Sequence, residues 1–338
     1  MYDPLSITDR DRLLALLQQH GDTADVIDEA AMKRALLARV RGQDHVVNDL
    51  TRLIRQQKAK VVRTRPIANL LFLGPTGTGK TELAKALAGY LFEDENQMLR
   101  FDCGEFSGPE GKTRLIGAPL VYRGAERGGQ LTRPVRDNPN RLILFDEIEK
   151  AYSGVLDLLL SMMGEGRLTD QMEGQTADFT RSIIILTSNA EHEAIGKIQE
   201  QVKDPYEQID AIKKHLRDAQ TFRAEILGRF DKIYVFRPLP QEVLAEIAAL
   251  KVIALARQYN LELKYVDPEL LYAALVASFK VADFGARELE RIIDSMFAEA
   301  MIGARQAGAK EIAINVGPQG DLVVQSAAAP QSELCQVG

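Results

Sequence analysis

Tryptophan is absent from the 338 residues, and cysteine occurs twice, at Cys103 and Cys335. Two thiols with no C-x-x-C or Cys/His spacing exclude a disulfide-stapled fold and a thiolate zinc site; they suit a reducing compartment, and a cytoplasmic protein is expected. No run approaches the roughly 18 apolar residues of a membrane span. Met1-Tyr2-Asp3-Pro4 lacks the charged-then-apolar layout of a secretory leader, so no membrane role is expected. A positive excess is also missing: 42 Lys and Arg face 48 Asp and Glu, a net charge of −6. That balance argues against a chain built mainly to grip phosphodiester backbones. The locally basic run 39–65 carries no interleaved aromatic residues and reads as a solvated helix face.

What is present is an alternation of strands and helices. Short apolar runs at Ala68–Leu73, Met98–Asp102, Arg141–Phe145, Ser182–Thr187 and Lys232–Phe236 read as buried strands. Helical periodicity, as at Lys80–Leu91, separates most of them. This predicts an α/β fold: a three-layer α/β/α large domain with a parallel sheet. Past Pro238-Leu239-Pro240 the pattern becomes mostly helical (241–258, 267–278, 285–305), with strands at Glu311–Val316 and Asp321–Val324. The expected division is a helical segment at 1–38, a large domain at 39–238, a small lid domain at 239–325 and a disordered tail at 326–338.

Gly74-Pro75-Thr76-Gly77-Thr78-Gly79-Lys80-Thr81 fits the G-x-x-x-x-G-K-[ST] phosphate loop completely, with a strand before it and a helix after. The glycines let the backbone curl its N–H groups toward phosphate oxygens, and the helix adds its positive end. Lys80 is expected to reach the β- and γ-phosphates of ATP, and Thr81 to offer its hydroxyl to Mg²⁺. The apolar strand 141–145 ends in two carboxylates. Asp146 is the second expected Mg²⁺ partner, and Glu147 is placed to activate the attacking water.

These motifs and several longer stretches resemble the Clp-type AAA+ unfoldases, and most closely the second ATPase ring of the bacterial disaggregase ClpB and its relatives. The stretches include Arg114-Leu115-Ile116-Gly117-Ala118-Pro119, Gly128-Gly129-Gln130-Leu131-Thr132, Leu144 through Ala151, Glu165 through Asp170, and Thr187-Ser188-Asn189. The likeness runs from about Val40 to Val324. It implies that Val40-Arg41-Gly42-Gln43 packs on the adenine, that Asn189 is the polar sensor near the hydrolytic water, and that Arg287 contacts the nucleotide of its own subunit. It implies that Arg229 is an arginine finger serving a neighbouring subunit, within a hexameric ring. It also implies that Tyr122, on a loop facing a central channel, grips protein substrate. Plainer accounts stand beside each: Asn189 as a helix cap, Arg287 paired with Glu288 or Glu290, Arg229 as a surface cation, Tyr122 packed under its loop.

The sequence departs from the family pattern at Val121 and Arg123, flanking the aromatic residue, and at Gly228. About forty residues precede Val40, so substrate recognition is expected from that segment, the pore loops or a separate adaptor. Ile195-Gly196-Lys197 reads as a helix segment rather than a peptidase dock. The expected function is an ATP-dependent ring motor that unfolds or remodels proteins; the alternative is a nucleotide-switched assembly scaffold. A DNA-linked loader is disfavoured by the acidic balance.

Overall fold

In a computed structural model the described residues are 27–118, 129–172, 174–279, 286–317 and 322–326. In chain order the elements are α1 (Glu29–Arg39), α2 (Asp44–Lys58), β1 (Ala68–Leu73), α3 (Lys80–Phe92), β2 (Met98–Asp102), α4 (Glu110–Ile116) and α5 (Thr132–Asp137). There follow β3 (Leu142–Asp146), α6 (Ser153–Glu165), β4 (Arg167–Thr169), β5 (Thr176–Asp178), β6 (Ile183–Ser188), α7 (His192–Gln201), α8 (Pro205–Asp218), α9 (Ala224–Leu227) and β7 (Lys232–Val235). The chain continues through α10 (Gln241–Gln258), β8 (Glu262–Val266), α11 (Pro268–Phe279), α12 (Ala286–Gln306), β9 (Glu311–Val316) and β10 (Leu322–Ser326).

Five strands form one sheet in the order β2-β3-β6-β1-β7, and every pairing is parallel. A parallel sheet needs cover on both faces, and alternate side chains show it. Leu71, Leu73, Ile143, Phe145, Ile184 and Leu186 enter one core with α4 to α9. Leu70, Phe72, Leu142, Leu144, Ile183 and Ile185 enter the other, with α1, α2 and α3. The basic run is mostly α2: Val46, Val47, Leu50 and Ile54 face the core, and Arg52 and Arg55 pair outward with Asp49 and Glu29. The helix α1 runs unbroken across position 38, and its Met32 and Leu36 are fully buried in the sheet's second core.

Beyond Pro238, α10, α11 and α12 enclose a third core with Leu244, Val252, Leu289, Phe297, Ile312 and Ile314. A three-stranded sheet, β10-β9-β8, completes that part. The strand β8 had no counterpart in the sequence reading. Glu262, Lys264 and Tyr265 are exposed and only Leu263 and Val266 are half-buried, so the run resembles a solvated linker, and the parallel pairing with β9 makes it a strand. The hairpin β4–β5 was likewise not predicted; each strand is three residues long, too short for a periodic signal. The strands β3 and β6 each start and end one residue later than predicted, at Leu142 and Ile183. Arg141 and Ser182 still take cross-strand bonds at their carbonyls, from Ile183 N at 2.9 Å and Ile67 N at 2.8 Å. Their side chains brace the loop 138–140: Arg141 Nε donates to Asn138 O at 2.9 Å and Ser182 Oγ to Pro139 O at 2.8 Å. No described helix is long and apolar enough to cross a membrane.

Candidate nucleotide site

Three loops meet at the carboxyl edge of the large sheet, where a parallel α/β sheet leaves its crevice. They follow β1, β3 and β6, which are neighbours in space although far apart in sequence. The turn after β1 needs its first glycine: Gly74 has φ +138, and a Cβ there would sit 2.5 Å from Phe236 O. Gly77 and Gly79 also have positive φ, at +76 and +98. Helix α3 starts at Lys80, aiming its N-terminal N–H groups into the crevice.

Lys80 folds back over the loop, donating from Nζ to Gly74 O at 2.6 Å and Pro75 O at 2.7 Å. Burial pushes its ammonium down to about 8, against the opposing pull of Asp146, Glu149 and Glu147. A buried cation with carbonyls as its hydrogen-bond partners is suited to receive phosphate oxygens.

Asp146 closes β3 and is 6% exposed. Its carboxylate accepts from Thr187 Oγ1 at 2.5 Å, from Thr81 Oγ1 at 3.3 Å to each oxygen, and from Arg100 Nη2 at 2.7 Å. Thr187 also receives the Glu147 backbone N–H at 3.1 Å. That bond helps hold Glu147 in the left-handed region, φ 57 and ψ 53, which turns the chain off the strand. The Glu147 carboxylate accepts from Lys150 Nζ at 2.6 Å. Asn189 Nδ2 donates to Thr76 Oγ1 at 3.2 Å, which ties the end of β6 to the phosphate loop. Its backbone N–H meets Glu149 Oε1 at 3.3 Å.

Val40, Arg41, Thr76, Gly77, Thr78, Gly79, Lys80, Thr81, Asp146, Glu147 and Asn189 therefore line one cavity of about 560 Å³. Gly74 and Pro75 shape its floor through their carbonyls without lining it. On the Val40 side, Gln43 is fully buried. Its amide donates to Arg237 O at 2.8 Å and Thr78 O at 3.3 Å and accepts from Arg237 N at 3.2 Å, clamping the phosphate loop to the end of the sheet. Leu239, Ile247, Lys251 and Glu290 close the cavity from the third core.

Arg229 is not in this cavity. It precedes β7 at the opposite edge of the sheet, where Asp231 N meets Asn69 O at 2.8 Å. Five strand residues separate that level from Gly74, about 16 Å at the usual rise. Its guanidinium lies against Gly164 of α6, where an added Cβ would be 3.0 Å from Cζ. Arg287 lies in the first turn of α12, but its side chain falls outside the described residues, as does Tyr122. The ends of the segment carrying Tyr122 are described. Asp170 Oδ2 accepts from Gly129 N at 3.1 Å and Thr132 Oγ1 at 2.5 Å, and Gln171 N donates to Ile116 O at 2.8 Å. Ile195 of the expected helix segment is buried in α7.

Sequence reasoning missed Thr187, Gln43's clamp, Arg100 and the four closing residues. Thr187 and Gln43 stood inside quoted stretches, and only three-dimensional pairing gives them a role. The site suits Mg²⁺ in its donors: a hydroxyl and a carboxylate oxygen 3.3 Å apart, both hard ligands, beside space for phosphate and water oxygens. No group of three or more His, Cys, Asp or Glu placed to hold a metal ion occurs among the described residues.

Residues 65–233 match the AAA domain model of the Cdc48 subfamily. The chain is 40% identical over 292 residues to the chaperone protein ClpB of Corynebacterium efficiens, covering 85% of this chain and 32% of that one. It is 39% identical over 266 residues to ClpB of Rickettsia bellii, covering 78% and 30%. With the probable chaperone protein ClpB 1 of Chlorobaculum tepidum it shares 38% over 297 residues, covering 85% and 67%. The chain thus spans about a third of the length of the first two relatives. With a phosphate loop, a paired carboxylate strand end and these matches, the chain belongs to the AAA domain family of ATPases.

Proposed function

We infer that this chain hydrolyses Mg-ATP and uses the energy to unfold or remodel protein substrates, as part of a ring. The carrying observation is the convergence of Lys80, Thr81, Asp146, Glu147 and Asn189 on one cavity, closed by residues past Pro238. In this reading, residues 39–238 hold the phosphates and the reacting water, and 239–325 act as a lid over the base and sugar. Val40 and Arg41 pack on the adenine. The phosphate-loop N–H groups and Lys80 orient the triphosphate. Thr81 and Asp146 would hold Mg²⁺, which when bound would supply positive charge against the phosphoryl oxygens. Glu147, once released from Lys150, takes the proton of the attacking water, and Asn189 fixes that water's position. Arg287 contacts the nucleotide bound by its own chain.

Arg229 supports a split site. It lies at the far edge of its own sheet, so any phosphate it stabilises is bound by another copy, and such a head-to-tail contact closes as a ring or runs on as a helix. A hexamer is the closure we favour, by likeness to ClpB. Arg229→Ala is expected to leave ATP affinity within about threefold and lower turnover by about 10³; wild-type turnover would refute the finger. Tyr122 is assigned the grip on substrate, because an aromatic ring contacts any extended chain through apolar burial. Tyr122→Ala should hydrolyse ATP normally yet fail to unfold a tagged model protein. Unchanged unfolding by that variant would favour the nucleotide-switched scaffold instead.

A further inference from the structure

Asp146 meets a cation on its own chain. Arg100 is the middle residue of β2, in register with Leu144, so Asp146 lies two residues further along the neighbouring strand. Residues two apart share a face, and a long side chain spans that diagonal. Arg100 Nη2 reaches Asp146 Oδ2 at 2.7 Å, with the arginine side chain 41% exposed and the carboxylate 9% exposed. It is the one ion pair Arg100 makes among the described residues, and Arg100 lines the cavity.

The carboxylate's partners are then fully assigned. Oδ1 accepts from Thr187 and Thr81, and Oδ2 from Arg100 and Thr81. Thr187 is buried and bound to the Glu147 backbone, so it cannot leave without disturbing the strand end. Thr81 can keep its bond to Asp146 while turning a lone pair toward a metal. Arg100 is the removable partner: it is half in solvent, its stem is flexible, and its positive charge repels a divalent cation at the same oxygen. We propose that Arg100 occupies the Mg²⁺-facing oxygen of Asp146 in the metal-free site and is displaced when metal and nucleotide enter, so that it sets the metal requirement for nucleotide binding. This rests on the reading of Asp146 and Thr81 as the Mg²⁺ partners.

Two consequences have opposite signs. Without metal, Arg100 supplies a positive charge beside the phosphates, so its loss weakens metal-free ATP binding. With metal, Arg100 has to be moved, so its loss eases Mg²⁺ entry. The pair is partly exposed, which keeps the effect to about two- to fivefold.

The test is equilibrium binding of a fluorescent ATP analogue to the full chain, in EDTA and across a Mg²⁺ titration. It uses wild type, Arg100→Gln and Arg100→Lys. Arg100→Gln should lower the half-saturating Mg²⁺ by about two- to fivefold and raise the ratio of Mg-ATP to metal-free ATP affinity. Arg100→Lys, which keeps the charge, should fall nearer wild type and separates charge from any folding defect. An unchanged ratio in both variants would overturn the proposal. A lower ratio would also overturn it, because Arg100 would then be gripping phosphate alongside the metal. Loss of Mg²⁺ dependence in Asp146→Asn supports the underlying reading; if that variant keeps the wild-type Mg²⁺ response, Asp146 is not a metal partner, and both that reading and the Arg100 proposal are overturned.

Discussion

Replacing Thr187 by Val removes one hydroxyl and almost no volume, so the result isolates two hydrogen bonds. The first is the 2.5 Å bond to the Asp146 carboxylate, and the second accepts the Glu147 N–H at 3.1 Å. Thr187 is 1% exposed, so water cannot replace either. A bond to a charged group contributes about 1.5–3 kcal/mol, and a stranded buried N–H costs about 1–3. The two share one atom and are not additive, so about 2–4 kcal/mol of destabilisation is expected. Urea unfolding with and without saturating Mg-ATP measures it. The same bond helps hold Glu147 at positive φ, so turnover should fall by at least about tenfold, with ATP affinity less affected. Thr187→Ser, which keeps the hydroxyl, should restore most of both. A loss under about 0.5 kcal/mol with normal turnover would refute the claim that this hydroxyl organises the strand ends.

Lys80 predicts a pH effect. Its free-site value is lowered to about 8 by burial, and phosphate binding favours the charged form, so binding takes up a proton above that pH. ATP affinity should be level just below about pH 8 and then fall by up to about tenfold per unit above it, read by calorimetry in buffers of different ionisation enthalpy. Gln43→Leu strands the Arg237 N–H and loosens the phosphate loop, with an expected cost of about 2–4 kcal/mol in urea unfolding and weaker ATP binding. Asp170→Asn weakens the bonds to Gly129 and Thr132 that hold one end of the Tyr122 segment. If the proposed function holds, unfolding of a tagged model protein should drop more than ATP turnover does.

The candidate site was legible where its residues are contiguous in sequence. The phosphate loop and the Asp146-Glu147 strand end are short runs whose residue order encodes their geometry, and the strands 68–73 and 98–102 carry enough apolar residues to be read alone. Residues that act by pairing across the sheet were not legible. Thr187 reads as an ordinary β-branched strand residue until β6 is placed beside β3. Arg100 reads as a solvent-facing charge until β2 takes its edge position. The strand β8 shows no period-two pattern, because its register shifts between Leu263 and Tyr265 and its two core-facing residues, Leu263 and Val266, fall three apart. Arg229's distance from its own cavity was not in the sequence either. It follows from β7 running parallel beside β1, which sends the two strand ends to opposite edges.

The central claim is that the cavity at the carboxyl edge binds ATP and that Glu147 activates the water that attacks it. Glu147→Gln removes the base while keeping the shape. Binding of labelled ATP and its single-turnover cleavage, measured on one preparation, should show affinity within about threefold of wild type and hydrolysis slowed by about 10²–10⁴. Cleavage at the wild-type rate, or a wild-type chain that binds no ATP, would contradict the account.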